Sequence, residues 1–262
     1  MYDFVYVAGD SYASGCDLGE ELYIDKKFTF SEWKPEQETS VRKRLAWLEN
    51  GNADANNKTL LNLEHERSFG GQLARLLDAD YKIGAVSGAG FTKIGITSFL
   101  DLPQIAQQHK KVLCLLTLTS AERFWFPGET GMRVRSDTIV MAGYNGRRDK
   151  LSQKVIKRLM MNSTHIDWQM QLAATFMGII KFCETLNIDV KIVGTPILNR
   201  KDISTYADNG FTAIVDAIQP YYVGSLGGDD IEKMKPERIW TSGGHLPIDY
   251  HIKLAQEIKD QL

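Results

Sequence analysis

A short polar stretch directly after an apolar run contains the first residues that could do chemistry. Residues Phe4–Ala8 are apolar, and Gly9, Asp10 and Ser11 follow at once. This pattern is typical of a buried strand that ends in a turn carrying an exposed polar group. Ser11 is therefore the first candidate for a nucleophile. Because glycine, aspartate and serine are all favoured in turns, a simple tight turn is the alternative interpretation.

A serine hydroxyl needs a neighbouring base, usually histidine, to take its proton as it attacks a carbonyl. The sequence has five histidines. His245 differs from the others because it lies in the glycine-rich segment 241–247, where a loop before a predicted helix can present an imidazole to a strand end. A surface-loop histidine is the alternative. The other four lie in a predicted loop, at helix ends or within the last predicted helix: His65, His109, His165 and His251.

Attack on an ester also needs hydrogen-bond donors for the negative charge that develops on the carbonyl oxygen. The main-chain N–H groups of Ser11 and Gly88 are candidates, since glycine allows a close approach to the backbone. Thr119 or Ser120 could add a hydroxyl group. The glycines around Gly88 also suggest a dinucleotide-binding loop, but their spacing is not G-x-G-x-x-G and no acidic residue ends a following strand.

Strand patterns alternate with helical patterns along the chain, which predicts a doubly wound α/β domain with a mainly parallel sheet. In such sheets the active site lies beyond the carboxyl ends of the strands, so Ser11, Gly88 and Thr119 are expected at one rim. The predicted strands are 4–8, 81–86, 111–118 and 188–194. The predicted helices are 69–77 with Ser68 as its cap, 91–109 with an interruption near Pro103, 151–161, 165–186, 211–218 and 247–262.

Two parts of this pattern carry further expectations. The last helix is predicted to bury one side, formed by Ile248, Ile252, Leu254, Ala255 and Ile258, and a glycine-rich loop is predicted at 224–228. We expect a single domain, 1–262, with long insertions at about 16–63 and 124–150. The first insertion suits a lid or substrate-binding loop, or else simple padding, and it is rich in aromatic residues: Phe28, Phe30, Trp33 and Trp47.

Composition excludes several classes of protein. With 43% hydrophobic and 24% charged residues, the chain is an ordinary globular protein rather than a fibre or a disordered segment. The formal net charge is -2, and scattered basic residues argue against nucleic acid as a partner. A local basic run is interpreted as a solvated loop, with polyanion binding as the alternative: Arg133, Arg135, Arg147, Arg148 and Lys150.

Cysteine spacing and hydropathy indicate the cellular compartment in which the protein is expected. Cys16, Cys114 and Cys183 lie far apart, so neither a disulfide framework nor a zinc site is indicated, and a reducing compartment is expected. No apolar run approaches the roughly 18 residues of a membrane helix. The N-terminus lacks the pattern of a signal peptide, which predicts synthesis in the cytoplasm without a membrane partner.

Three blocks of the sequence resemble the SGNH (GDSL-type) hydrolases. Gly9-Asp10-Ser11 is similar to the first block, Gly88 within 85–89 to the second, and the segment around His245 at 244–247 to the last. The resemblance implies an acyl-ester or carbohydrate-ester hydrolase on a flavodoxin-like, three-layer α/β/α domain with five strands. It implies Ser11 as nucleophile, His245 as base, and no cofactor or metal. The segment 116–123, with Ser120 and Arg123 as supporting candidates, resembles variants common in bacteriophage members, which suggests association with a phage particle.

The chain departs from the family pattern at two positions. Thr119 lies where the family has an oxyanion-binding Asn, and Ser242 lies where it has the Asp that orients the histidine. Loss of one oxyanion donor typically costs about 100- to 1000-fold in turnover. His245 must then be oriented by Ser242, a backbone carbonyl or another carboxylate. The candidates for that carboxylate are Asp229, Glu237 and Asp249.

Three hypotheses about function follow from these patterns. The first is a serine esterase that uses Ser11 and His245 on acetyl-like esters, with a small molecule or a glycan as the alcohol part. The second is a non-catalytic binding or structural module that kept the fold. The third is a flavodoxin-like protein that binds a nucleotide.

Overall fold

The computed structural model of this chain describes residues 1–16, 18–19, 28–29, 60–85, 89–119, 165–196, 216–227, 239–240 and 245–262. The strands are β1 (Phe4–Ala8), β2 (Phe28–Thr29), β3 (Asp80–Ile83), β4 (Val112–Thr117), β5 (Asp189–Gly194), β6 (Tyr222–Ser225) and β7 (Ile239–Trp240). The helices are α1 (Leu60–Arg67), α2 (Phe69–Leu77), α3 (Phe91–Gln108), α4 (His165–Thr185) and α5 (Ile248–Lys259), with a 3-10 turn at Gln219–Tyr221. Among these helices, none combines the length and the apolar character that a membrane span requires.

Five of the described strands form one parallel sheet in the order β3-β1-β4-β5-β6. Numbered among themselves along the chain, they have the order 2-1-3-4-5, which is that of flavodoxin-like folds. The chain moves outward from β1 to β3 and then crosses back to β4. The crevice at the carboxyl ends of β1 and β4 is therefore the switch point where such sheets bind ligands. The prediction of an α/β fold with a mainly parallel sheet is confirmed.

Helices cover both faces of the sheet because the central strands are apolar on both sides. Tyr6 packs in a cluster with the buried residues of α3 and α4, whereas Val5 and Val7 pack in a second cluster with those of α2 and α5. All five residues of β1 and all six of β4 are buried. The described elements thus form three layers, as predicted.

The structure corrects the expectation of a break in the helix near Pro103. Residues Phe91–Gln108 form one continuous helix that contains Pro103. An interior proline costs about 3 kcal/mol. Burial of Ile94, Leu102 and Ile105 on the two sides of the proline contributes about 1.5–3 kcal/mol for each residue. Core packing therefore outweighs the lost hydrogen bond.

The glycine-rich loop predicted at 224–228 is partly wrong, because Tyr222–Ser225 form the edge strand β6. Gly224 has a φ of +144°, and the register with β5 shifts between Ile192 and Val193. A short edge strand with a glycine in this conformation lacks the alternation that identifies a strand in a sequence. The residues of β6 alone therefore do not predict a strand, and the strand forms because it pairs with β5.

Two helices also differ from their predictions. Helix α1 has no counterpart in the predicted pattern, and it places His65 on a helix rather than in a loop. On α5 the prediction that Ile252 is buried is wrong, since its side chain is 42% exposed, and His251 occupies the buried face instead. The predicted helix 151–161, most of the helix 211–218 and the insertion 124–150 lie outside the described residues.

A two-stranded antiparallel ribbon lies apart from the main sheet. It pairs β2 with β7, with Phe28 opposite Trp240 and Thr29 opposite Ile239. Strand β2 belongs to the first insertion, and β7 ends five residues before His245. Two residues of the insertion, Phe28 and Thr29, therefore pair with a strand that ends shortly before His245 in the sequence.

Gly9 is required by the close approach of β1 and β4. A Cβ atom at Gly9 would lie 1.8 Å from Thr117 Oγ1 and 2.6 Å from Ala13 Cβ. The Thr117 hydroxyl itself donates to the carbonyl oxygen of Ala8 over 3.3 Å. A larger residue at Gly9 would therefore push the turn that carries Ser11 away from β4.

We expect Gly9→Ala to lower the free energy of unfolding by about 1–3 kcal/mol or more, because the new methyl group overlaps Thr117. Gly178→Ala is the matched control. The nearest atom to a Cβ at Gly178 is Phe99 Cζ at 4.0 Å, so this helical position has room. It should gain about 0.5–1 kcal/mol. Urea unfolding of the two variants and the wild type measures both effects, and a Gly9→Ala protein of unchanged stability would contradict the packing described.

Candidate active site

The turn after β1 is closed by its own main chain. The N–H of Ser14 donates to the carbonyl oxygen of Asp10, and the N–H of Cys16 donates to that of Ser11, each over 3.0 Å. The Ser14 hydroxyl also donates to the carbonyl oxygen of Ser11 over 3.1 Å. Ser11 is buried, with 6% of its surface exposed, whereas the sequence pattern predicts an exposed polar group in this turn.

Asp10 is a fully buried acidic residue at the switch point. Its Oδ1 accepts the N–H of Tyr12 over 3.0 Å, and its Oδ2 accepts the Thr119 hydroxyl over 3.2 Å. A buried carboxylate is stable only where such donors replace water. Asp10 therefore closes the turn around Ser11 and at the same time connects that turn to the end of β4.

Thr119 connects three segments at the rim. Its hydroxyl oxygen lies 3.2 Å from Asp10 Oδ2 and 3.3 Å from the carbonyl oxygen of Ala89, and its single proton can be donated to either. Ala89 follows Gly88, which lies outside the described residues together with Ser120 and Arg123. Thr119 is fully buried, so a role as an oxyanion donor would require its hydroxyl to leave these two acceptors. That role stays a prediction.

The structure brings His245 to the turn that carries Ser11. The imidazole of His245 meets the ring of Tyr12, the residue after Ser11, edge to face, with centroids 5.0 Å apart and planes at 61°. Such a contact favours one orientation of the two rings. His245 is half-buried, and the next residue, Leu246, is fully buried and anchors the segment in the core. His245 therefore lies beside the residue that follows Ser11, and its pairing with Ser11 stays a prediction.

Of the carboxylates that could orient His245, the structure describes Asp249. Asp249 lies in the first turn of α5 and is exposed. Ser242, Asp229 and Glu237 lie outside the described residues. In the part of the chain that the structure describes, no group of three or more His, Cys, Asp or Glu side chains could hold a metal ion.

His251 is a residue of this region to which sequence reasoning gave no role. Its ring is 1% exposed, and its Nδ1 accepts the N–H of Phe69, the first residue of α2, over 3.1 Å. The ring also stacks on Phe69 and hydrogen-bonds the main chain of Leu246. The sequence did contain a sign that His251 is buried. His251, Leu254, Ala255 and Ile258 follow the i, i+3, i+4, i+7 pattern of one helix face.

The pKa of His251 is lowered from its ordinary 6.5 to about 3, mainly by burial and in part by the nearby His245. A buried imidazolium would have to leave water and repel His245 when that residue is charged. Its hydrogen bond with the main chain of Leu246 acts in the opposite direction but is the smaller effect. His251 is therefore neutral at physiological pH, with Nδ1 available as an acceptor.

Three solved structures align with nearly the whole chain. A carbohydrate esterase family 2 enzyme with a carbohydrate-binding domain from Corynascus thermopiles (Myceliophthora fergusii) is 12% identical, with a TM-score of 0.49 over 98% of this chain and 64% of that chain. The acetyl xylan esterase Est2A from the rumen bacterium Butyrivibrio proteoclasticus is 11% identical, with a TM-score of 0.44 over 99% of this chain and 62% of that one. TesA is 12% identical, with a TM-score of 0.39 and coverage of 99% and 97%.

The chain thus spans less than two thirds of the length of the two carbohydrate-active esterases that it matches. No protein-family model matches the sequence, and no curated protein is significantly similar to it. The function of the chain must therefore be argued from its own residues.

We expect Thr119→Val to lower the free energy of unfolding by about 1–3 kcal/mol, because it keeps the shape of the side chain but removes a donor from the buried Asp10 carboxylate. Thr185→Val is the matched control. The Thr185 hydroxyl donates to the carbonyl oxygen of Phe182 at an exposed helix end, where water can replace it. Urea unfolding of both variants tests the expectation, and equal losses at the two positions would contradict it.

Protonation of His251 should make the protein less stable in acid. The unfolded chain takes up this proton as the pH falls below 6.5, whereas the folded chain does so only near 3. The stabilisation is therefore complete above pH 6.5 and is lost as the pH falls towards 3, at about 1.4 kcal/mol per pH unit. Between about pH 7.5 and about pH 5.5, the wild type should lose about 1.4 kcal/mol more than His251→Gln, which cannot titrate there. Equal losses in urea unfolding would show that His251 is not held neutral.

Proposed function

We propose that this chain is a serine ester hydrolase of the SGNH type, with Ser11 as its nucleophile and His245 as its base. The observation that carries the proposal is the contact between the rings of Tyr12 and His245. It brings a histidine from the end of the chain to the residue beside Ser11. Both lie at the carboxyl end of β1, where β1 and β4 form the switch point of the sheet.

In the proposed reaction, Ser11 Oγ attacks the ester carbonyl while His245 takes its proton. The oxyanion of the tetrahedral intermediate accepts hydrogen bonds from the main-chain N–H groups of Ser11 and Gly88, with Thr119 as a third donor. When the intermediate collapses, His245 gives the proton to the departing alcohol and Ser11 keeps the acyl group. Water, deprotonated by His245, then attacks the acyl-serine, and His245 returns the proton to Ser11 Oγ as the acid leaves. The reaction needs no cofactor.

The surrounding residues have supporting roles in this proposal. Asp10 holds the turn that carries Ser11, as its two hydrogen bonds to that turn and to Thr119 indicate. Ser242, or a backbone carbonyl, orients His245 in place of the missing aspartate, and Tyr12 limits the rotation of the ring. Ser120 and Arg123 follow Thr119 in the chain and are assigned to the substrate side of the rim on sequence alone.

The proposed substrates are small acyl esters, acetyl-like in size, carried by a glycan. Two observations support this class. The first insertion is rich in aromatic residues, whose flat faces pack well on sugar rings and acyl groups. In addition, Phe28 and Thr29 of this insertion pair with Ile239 and Trp240, which precede His245 by a few residues in the sequence. The association with a bacteriophage particle rests on sequence resemblance alone.

A non-catalytic module remains the second candidate, and one observation favours it. Thr119, which lies at the position of the oxyanion-binding Asn, has its hydroxyl beside Asp10 and Ala89. In such a module the rim would bind a glycan without cleaving it. A fluorophosphonate probe distinguishes the two candidates, because it labels only a serine that a base activates.

We expect Ser11→Ala to lower kcat for p-nitrophenyl acetate by about 1000-fold or more, since the substitution removes the atom that carries the acyl group. Labelling by a fluorophosphonate should disappear as well. Ser98→Ala is the matched control, because Ser98 is a buried serine on α3 and should keep both activities. Equal hydrolysis by wild type and Ser11→Ala, or labelling that survives the substitution, would remove Ser11 from the mechanism.

A further inference from the structure

His251 uses both of its ring nitrogens in contacts with main-chain groups. Nδ1 accepts the N–H of Phe69 over 3.1 Å, so the proton of the neutral ring is on Nε2. The hydrogen bond with the main chain of Leu246 then has Nε2–H as donor and the carbonyl oxygen as acceptor. One imidazole therefore joins the start of α2 to the residue that follows His245.

The Phe69 N–H is one of the helix-start donors that have no partner within the helix. Ser68 caps α2 at the N–H of Gly71, and His251 supplies the acceptor for Phe69. The ring lies nearly parallel to that of Phe69, with planes at 15° and centroids 6.1 Å apart. Two hydrogen bonds and a stacked ring fix the imidazole in one position and one tautomer.

Helix α2 is in turn held firmly against the strand that leads to Ser11. A Cβ at Gly70 would lie 2.3 Å from Val7 Cγ2, so the helix backbone approaches β1 as closely as a glycine allows. Helix α2 also packs against α5, which carries His251. A continuous path of contacts therefore runs from β1 through Gly70, Phe69 and His251 to Leu246.

The neutral state of His251 suits a position beside a catalytic base. When His245 takes a proton, a second imidazole nearby would compete for that proton or repel it. His251 does neither, because burial keeps its pKa at about 3. Its side chain contacts the main chain at Phe69 and at Leu246 and takes no part in the proton transfer.

We propose that His251 is a positioning residue for His245: its imidazole bridges the Phe69 N–H and the Leu246 main chain, and so fixes the segment 245–247 at the distance from β1 that brings His245 to Ser11. The inference rests on the proposed function, since it gives His251 its purpose through His245. His251 touches neither the substrate nor the reacting atoms.

Two substitutions separate the two hydrogen bonds. In His251→Asn, the amide oxygen can take the place of Nδ1 and cap Phe69, but the side chain is too short to reach Leu246. In His251→Gln, the amide nitrogen can take the place of Nε2 and donate to Leu246, but the acceptor for Phe69 is lost. If His251 positions His245 as a bridge, both bonds matter for the reaction, because loss of either one disconnects the segment 245–247 from α2 and β1.

With p-nitrophenyl acetate, we expect His251→Asn to lower kcat by about 10- to 100-fold with KM within about twofold, because a misplaced base slows the chemical step rather than binding. His251→Gln should lower kcat to a similar extent, because its bond to Phe69 is lost even where a bond to Leu246 remains. Leu254→Ala is the control for stability, since Leu254 is buried on the same helix and forms no part of the bridge. It should keep kcat at temperatures where it is folded. Equal kcat in His251→Asn and wild type, or an equal loss in Leu254→Ala, would overturn the inference.

A measurement without substrate keeps this test separate from that of the proposed function. By ¹⁵N relaxation, we expect the order parameter of the His245 amide to fall from about 0.85 in the wild type to below about 0.6 in both His251→Asn and His251→Gln. An inactive wild type would refute the proposed function, and the relaxation data would still decide whether His251 holds the segment. An active wild type with unchanged order parameters in His251→Asn would refute the positioning role alone.

Discussion

The buried carboxylate of Asp10 is the group on which the rim of the sheet depends. Removing a carboxylate from water costs several kcal/mol unless hydrogen-bond donors replace the water, so the fold must place donors beside Asp10. One donor is the N–H of Tyr12, which bends the turn around Ser11, and the other is the hydroxyl of Thr119 at the end of β4. Gly9 makes the arrangement possible, because any side chain there would meet Thr117. The turn that carries Ser11 is thus held from both ends.

A second set of contacts, made by the helices α2 and α5, acts on the same turn. Helix α2 packs through Gly70 onto Val7, and its first N–H is capped by His251 from α5. The segment that holds His245 leads directly into α5. Its position is therefore tied to that of α2 and, through α2, to that of β1. The Tyr12–His245 contact lies where these two sets of contacts meet. The segments of Ser11 and His245, the proposed nucleophile and base, are both tied to β1 in this way.

Much of the fold could be predicted because its signals are local. The apolar runs of β1, β4 and β5 need only their own residues to be recognised, and Ser68 caps α2 as its position before an apolar helix suggests. The exceptions have a common cause. Pro103 lies within a helix, and Gly224 lies within a strand, because burial and pairing with distant residues outweigh the local preference. Neither contact has a signature within a short window of sequence.

The sequence by itself determined that strands and helices alternate and that Ser11 and Thr119 follow strands whose carboxyl ends share one rim. Only the tertiary structure decided which groups meet there. Thr119 contacts Asp10 across 109 residues of chain, and His251 caps Phe69 across 182. Each hydrogen bond forms only where the tertiary fold brings donor and acceptor to within about 3 Å of each other. The spacing of residue types along the sequence does not record such a distance. For this reason the sequence pointed to His245 as a base, whereas the neutral histidine beside it emerged from the packing alone.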